Sequence, residues 1–205
     1  MPVLGRTKKE ALTEFRMAEL LEAARKVFAE KGFHEATVDE IADAAGVAKG
    51  TVYLYYRSKR AIYWAALERG ITALHDEVKT QLAREDTLEN KIRAFIAIRI
   101  CYFEKNRDFF KIYISELGSA FTHPAQLRKR FGDLYLRQAR MLEAVLREGI
   151  KRKAIRSIRV DTAALAISDL TRGVITQRLL GWSKGDVESD IQFVFDLVWR
   201  GIAAP

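Results

Sequence analysis

Apolar residues recur along most of the chain with the spacing of an amphipathic α-helix. The clearest example is an apolar stripe near the N-terminus, formed by Met17, Leu20, Leu21, Ala24, Val27 and Phe28. Neighbours three or four positions apart lie on one face of a helix. The sequence has no sustained apolar-polar alternation joined by Gly or Asn turns, which β-hairpins require. The pattern predicts an all-α protein with about nine helices.

Capping signals separate the predicted helices. Thr37 and Glu40 have the T-x-x-E spacing of a capping box, in which each side chain satisfies a backbone N–H at the start of a helix, and Asp86 and Glu89 repeat it. Gly32 is well placed to end the first helix. Further helix starts are predicted at Ser58, Pro124 and Asp161.

The stretch from Thr37 to Tyr56 joins two short helical patterns through a single glycine. A helix-turn-helix needs a small residue where the helices cross and a turn residue that can adopt positive φ, and Ala42 and Gly46 meet these needs. Internal apolar contacts are predicted for Ile41, Ala45, Val47 and Val52. The second helix would then expose Lys49, Gly50, Thr51, Tyr53 and Tyr55.

Those exposed side chains suit phosphates and base edges better than a hydrophobic core. A helix-turn-helix can also bind only protein, and a glycine can simply bend a core. The spacing alone therefore leaves DNA binding, protein binding and a bent core open.

The run FAEKGFHEATVDEIADAAGVAKGTVYLYYRSKRAIYWAAL resembles the N-terminal domain of the TetR family of bacterial transcriptional regulators. The resemblance covers about residues 12–67, while the remaining helices are similar to the family only in length and pattern. It implies a helix-turn-helix DNA-binding domain over residues 1–57 and a helical ligand-binding and dimerisation domain over residues 58–205. It further implies a homodimer that binds a palindromic operator in double-stranded DNA, most often as a repressor, and leaves it when a small molecule binds.

Carried over position by position, the resemblance implies roles for the residues of this segment. Lys49 and Thr51 would lie near base edges, and Tyr56 would be a core aromatic residue. Independently of the resemblance, Gly50 near the start of the second helix would let the backbone approach DNA. The arm with Arg6, Lys8 and Lys9 either adds DNA contacts or is a solvated tail. The predicted DNA-binding residues are Thr37, Lys49, Gly50, Thr51, Tyr53, Tyr55 and Lys59.

The last two predicted helices carry apolar residues on more than one face, which suggests a partner surface. Phe193 and Leu197 mark a second face of the final helix. Two fully buried core helices are the alternative. The predicted dimer interface contains Gly173, Ile191, Val194, Phe195 and Val198.

Arg99 interrupts an apolar stripe, and aromatic residues follow it closely in sequence. One hypothesis is an aromatic-lined cavity in which Arg99 meets an anionic or carbonyl group of an apolar ligand. Alternatively, Arg99 pairs with Glu116 or Asp169, or reaches solvent. The predicted ligand-binding residues are Arg99, Tyr102, Phe109, Phe110 and Tyr113.

The net charge of +8 does not lie on the helix-turn-helix segment. Residues 1–60 contain 11 cationic and 9 anionic side chains, whereas residues 124–160 contain 11 and 3. The basic excess from Arg128 to Arg159 is interpreted either as a solvated helix face or as a docking surface for an anionic ligand such as an acyl-coenzyme A.

Other classes of function find little support. The single cysteine, Cys101, cannot form an internal disulfide, and the three histidines are far apart in sequence. No catalytic residue, metal site or cofactor is therefore predicted, and an all-α enzyme or a protein-binding adaptor remains only as a rival. No apolar run is long enough for a membrane span and no secretory segment is visible, so a cytoplasmic protein is expected.

Overall fold

The computed structural model describes residues 8–204, with side chains from Glu10 onward. Within those residues the only β-pairing is an isolated antiparallel bridge between Ile155 and Ala203. The prediction of an all-α chain with about nine helices is confirmed. The helices are α1 (Lys8–Glu35), α2 (Val38–Ala44), α3 (Lys49–Tyr55), α4 (Lys59–Arg84), α5 (Leu88–Lys105), α6 (Arg107–Ser119), α7 (Ala125–Lys151), α8 (Val160–Leu179) and α9 (Val187–Ile202).

Two of the predicted helix starts are corrected by the structure. The N-cap of α5 is Thr87 rather than Asp86, because the Thr87 hydroxyl accepts a hydrogen bond from the backbone N–H of Asn90. The N-cap of α8 is Arg159, and Asp161 lies in the first turn, where its charge still favours the helix dipole. Both errors are shifts of one or two residues.

Backbone contacts divide the chain into two compact units. Unit 1 contains the residues up to Gly70 together with Asp108–Gly118, and unit 2 contains Ile71–Arg107 and the residues from Ser119 onward. The division therefore falls inside α4 and assigns α6 to the N-terminal unit, whereas the sequence suggested a boundary after residue 57.

Unit 1 gains α6 because the first half of α4 packs against α6 as well as against α1. The Tyr63 ring meets the Phe28 ring edge-on, with 5.1 Å between centroids, and the Tyr63 hydroxyl lies 3.5 Å from the carbonyl oxygen of Ile112. Gly70 lies directly against the ring of Phe109, where a Cβ atom would clash. These contacts give α1, α4 and α6 a shared core.

In unit 2, α5 packs against α7, α8 and α9. Its inward side chains are almost fully buried, namely Ile92, Phe95, Ile96, Ile100 and Phe103. Arg178 ties the ends of three helices together, since its guanidinium lies 2.6 Å from the carboxylate of Asp190 and 3.5 Å from that of Glu104.

Candidate nucleic-acid interface

The turn between α2 and α3 is a Schellman motif centred on Gly46. Gly46 has φ +66°, a left-handed conformation that favours glycine. The N–H of Gly46 donates to the carbonyl of Asp43, and the N–H of Val47 donates to that of Ala42, each at 3.0 Å. Ala42 is buried, so the small residue and the glycine predicted for a helix-turn-helix occupy the places that the motif requires.

The start of α2 is fixed by the predicted capping box. The Thr37 hydroxyl accepts from the N–H of Glu40 at 3.2 Å, and the Glu40 carboxylate accepts from the N–H of Thr37 at 3.0 Å. Hydrogen bonds from the Lys31 ammonium and the Thr37 N–H lower the pKa of Glu40. Thr37 is exposed, and its O–H hydrogen can still donate to a phosphate.

Helix α3 is attached to unit 1 by one face and exposes the other. Val52 is fully buried and Tyr56, directly after the helix, is 8% exposed, which confirms that Tyr56 belongs to the core. Burial raises the pKa of the Tyr56 phenol. On the opposite face Gly50 is exposed and Tyr53 is 46% exposed, while Thr51 and Tyr55 are half-buried. Their contacts with DNA remain predictions.

Two exposed side chains on this surface were missed by the sequence analysis. Leu54 is 80% exposed on α3, and Arg57 is exposed just beyond the helix. Helical spacing from Gly50 to Leu54 and Arg57 could have identified this face. The exposed leucine gives this face of α3 an apolar patch among polar side chains.

Lys59 has a structural use that the sequence analysis did not predict. Its ammonium donates to the carbonyl oxygens of His34 at 2.9 Å and Ala36 at 2.7 Å, and it lies 4.9 Å from the centre of the Phe33 ring. Lys59 thus closes the C-terminal end of α1 and satisfies two backbone acceptors there. A contact between Lys59 and a DNA phosphate stays a prediction, and only its remaining donor hydrogen is available for it.

The Lys49 side chain also has a partner within unit 1. Its ammonium forms an ion pair of 2.8 Å with the carboxylate of Asp39 in the first turn of α2. The hydrogen bond and charge of Asp39 raise the pKa of Lys49, so the side chain is a cation at neutral pH. The side chains of the predicted N-terminal arm, Arg6, Lys8 and Lys9, are outside the described part of the structure.

Comparison with known proteins agrees with this geometry. Residues 20–66 match the family described as bacterial regulatory proteins, tetR family. Residues 20–66 therefore form a domain of the tetR family. The relatives of this chain are transcriptional regulators of that family, which bind DNA and are not enzymes.

Several relatives of this chain have names that state a regulatory function. The fatty acid metabolism regulator protein of Bacillus subtilis is 24% identical over 90% of this chain and 94% of its own length. The HTH-type transcriptional repressor KstR2 of Rhodococcus jostii is 28% identical over 93% and 92%. The HTH-type transcriptional activator FasR of Mycolicibacterium smegmatis is 33% identical, but the match covers 47% of this chain and only 44% of FasR.

Solved structures show the same fold. The transcriptional regulator FadR from Bacillus subtilis, in complex with stearoyl-CoA, has a TM-score of 0.78 at 22% identity and covers 88% of this chain and 96% of its own. A regulator from Saccharomonospora viridis in complex with choline has a TM-score of 0.81 at 22% identity, covering 94% and 100%.

The residues predicted to bind ligand are divided between the two units. Arg99 and Tyr102 belong to unit 2, whereas the other predicted residues, Phe109, Phe110 and Tyr113, are buried in unit 1. Arg99 is 4% exposed, donates to the Gln138 side chain and lies 5.4 Å from the centre of the Phe95 ring. These contacts give Arg99 a role inside unit 2, and the joint ligand site stays a prediction.

Unit 2 has a groove of about 380 Å³ between α4 and α5, and none of the predicted ligand residues lines it. Its wall includes Cys101, and burial raises the pKa of the Cys101 thiol. The full lining is Gln81, Glu85, Asn90, Arg93, Ala94, Ala97, Ile98 and Cys101. Among the described residues no cluster of three potential metal ligands is found, and no helix has the length and apolar character to cross a bilayer.

The dimer interface on α8 and α9 stays a prediction. Four of its residues are already buried within this single chain, namely Ile191, Val194, Phe195 and Val198. Their side chains are covered by the core of their own chain. The apolar residues that α9 leaves exposed are Phe193, at 60%, and Leu197, at 52%. Gly173 on α8 is exposed and has no atom within 4 Å of the Cβ position.

Proposed function

We propose that this chain is a homodimeric repressor that binds a palindromic DNA operator through α3 and is released when a small molecule binds in unit 2. The observation that carries the proposal is the exposed face of α3. Within α3 only Val52 is fully buried, and Tyr53 and Leu54 lie outside the core. Such a helix fits the major groove, where side chains reach base edges.

Exposed residues on the outer faces of α8 and α9 support the proposed dimer. Phe193 and Leu197 lie one helical turn apart on α9, and exposed Gly173 allows close helix approach on α8. A two-fold axis through such a surface would match the symmetry of a palindromic operator. Two recognition helices could then enter successive major grooves about 34 Å apart.

For the small molecule we favour a fatty acyl-coenzyme A. The support comes from the full-length similarity to the fatty acid metabolism regulator and from the structure of FadR with stearoyl-CoA. The C-terminal end of α7 and the turn after it add an exposed basic surface that could accept the coenzyme A phosphates, because Lys151, Lys153 and Arg156 have no ion-pair partner among the described residues. The choline complex of a similar fold makes choline the natural competing ligand.

The proposal can be tested by selecting operator sequences from random duplex DNA and then measuring release. Wild-type protein should enrich a palindrome and shift it in a gel. Stearoyl-CoA should release it, whereas coenzyme A, stearate and choline should not. Failure to enrich any sequence would refute operator binding, and release by choline alone would refute the ligand class. A reporter assay with and without the protein then separates repression from activation.

A further inference from the structure

The ion pair between Asp39 and Lys49 joins the two helices of the helix-turn-helix. Asp39 lies in the first turn of α2 and Lys49 is the first residue of α3. Their charged atoms are 2.8 Å apart, and the side chains are 62% and 51% exposed. Exposed pairs of this kind are weak and exchange readily, so another anion can replace the carboxylate.

We propose that Asp39 restrains DNA binding by holding the Lys49 ammonium, so that a DNA phosphate has to displace a carboxylate before Lys49 becomes available. This inference rests on the proposed binding of DNA through α3. Asp39 is then a positioning residue whose carboxylate lowers the affinity for DNA. The effect is independent of DNA sequence, because the competing groups are a carboxylate and a backbone phosphate.

The electrostatics of binding explain why the carboxylate opposes association. When Lys49 turns to a phosphate, Asp39 loses its partner close to a strand of negative charge. The freed carboxylate then repels the backbone and takes up a cation, which partly cancels the counterion release that drives binding. Removing the charge while keeping the side-chain shape should therefore strengthen binding.

Helix α2 supplies a matched control. Its three carboxylates differ in their partners. The Glu40 carboxylate accepts hydrogen bonds from Thr37 and Lys31, and the Asp39 carboxylate accepts one from Lys49. Asp43 is exposed and has no side-chain partner among the described residues. Asp43→Asn therefore removes one negative charge from the same helix without releasing a lysine.

The experiment compares full-length wild type, Asp39→Asn, Asp43→Asn, Lys49→Met and the double variant Asp39→Asn/Lys49→Met. Affinity is measured for a selected operator and for a scrambled duplex of equal length over a series of salt concentrations. Circular dichroism and thermal melts confirm that each variant is folded.

Asp39→Asn should tighten binding to both duplexes by about two- to fivefold per bound protomer, the range expected for an exposed ion pair, and so by roughly four- to 25-fold for a dimer. Its salt slope should steepen by up to about 0.9 per protomer, one phosphate contact each. In the Lys49→Met background, Asp39→Asn should increase the affinity for DNA by no more than Asp43→Asn does.

Three results would overturn the role of Asp39. The first is that Asp43→Asn increases the affinity for DNA as much as Asp39→Asn does. The second is that Asp39→Asn increases the affinity by the same factor in the Lys49→Met background. The third is that Asp39→Asn weakens binding or changes its sequence preference, which would make Asp39 a base-contacting residue. Each of them leaves DNA binding by wild type intact. Absence of binding by the wild type would instead refute the proposed function, and this inference with it.

Discussion

Leu54 offers the sharpest test of the proposed interface, because it is an apolar side chain on a surface otherwise suited to polar contacts. It is 80% exposed, so replacing it with alanine removes no core contact and keeps a good helix former in α3. If Leu54 packs against a thymine methyl group in the operator, Leu54→Ala should weaken binding and should do so only where that methyl group is present.

The expected size follows from the area that such a contact can cover. Full burial of a leucine side chain is worth about 1.5–3 kcal/mol, and a single methyl group covers only part of it, giving about 1 kcal/mol per half-site. A dimer makes the contact twice, so the loss should be about 2 kcal/mol, or roughly 30-fold in the dissociation constant. Leu54→Met, which keeps an apolar side chain of similar volume, should retain most of the affinity.

The assay combines protein variants with operators in which single thymines are replaced by uracil, which lacks the methyl group. Wild type should lose affinity for uracil at one symmetric pair of positions, and Leu54→Ala should be indifferent to the same change. Uracil outside the selected site serves as the DNA control. If Leu54→Ala weakens binding equally to thymine and uracil operators, the methyl contact is wrong; if it has no effect at all, Leu54 lies outside the interface.

Three further predictions concern stability, assembly and pH. Lys59→Met should lower the free energy of unfolding by about 1–2 kcal/mol, because two carbonyl groups lose a charged donor; denaturant titration that shows unchanged stability but weakened DNA binding would favour a phosphate contact instead. Phe193→Asp, compared with Phe193→Leu as the conservative control, should shift analytical ultracentrifugation toward monomer and weaken operator binding without unfolding the chain; a dimer that persists would place the interface elsewhere. Burial and the nearby charge of Arg137 lower the pKa of His75 below its unfolded value near 6.5, so the free energy of unfolding should fall as the pH drops below about 6.5. His75→Gln should reduce this loss of stability in thermal melts between neutral pH and about pH 5. An unchanged pH dependence in His75→Gln would show that His75 is not its source.

Local signals in the sequence predicted the interface scaffold well because each acts within a few residues. The Thr37 and Glu40 hydrogen bonds span one helical turn, and the positive φ of Gly46 is required by the turn itself. By contrast, the partners of Lys59 lie 25 and 23 residues away in sequence, so no local pattern could assign its hydrogen bonds. The position of α6 in unit 1 likewise depends on contacts across the chain, such as that between Gly70 and Phe109.

Helix α9 shows a different limit of sequence patterns. Its periodicity indicates two apolar faces, but a period contains no information on which face meets the core of its own chain. The stripe through Val194 and Val198 is buried against unit 2, while the face through Phe193 and Leu197 is exposed. Only the packing of α5 and α8 against α9 distinguishes the two faces.

The cations of the helix-turn-helix explain why net charge is a poor guide to DNA binding here. Between residues 37 and 60 the cationic side chains are Lys49, Arg57, Lys59 and Arg60. Lys49 is held by Asp39, Lys59 is used by backbone carbonyls, and the Arg60 guanidinium lies 5.8 Å from the centre of the Phe33 ring. Few cations are thus immediately available for phosphates, and hydroxyl donors such as Thr37 and Tyr53 have to supply much of the backbone contact. Neutral hydroxyl donors release no counterions when they bind phosphate. The logarithm of the operator binding constant should therefore fall with the logarithm of the salt concentration by only about 0.9 for each cation–phosphate pair that forms. The basic excess on α7 should contribute to ligand affinity rather than to this slope.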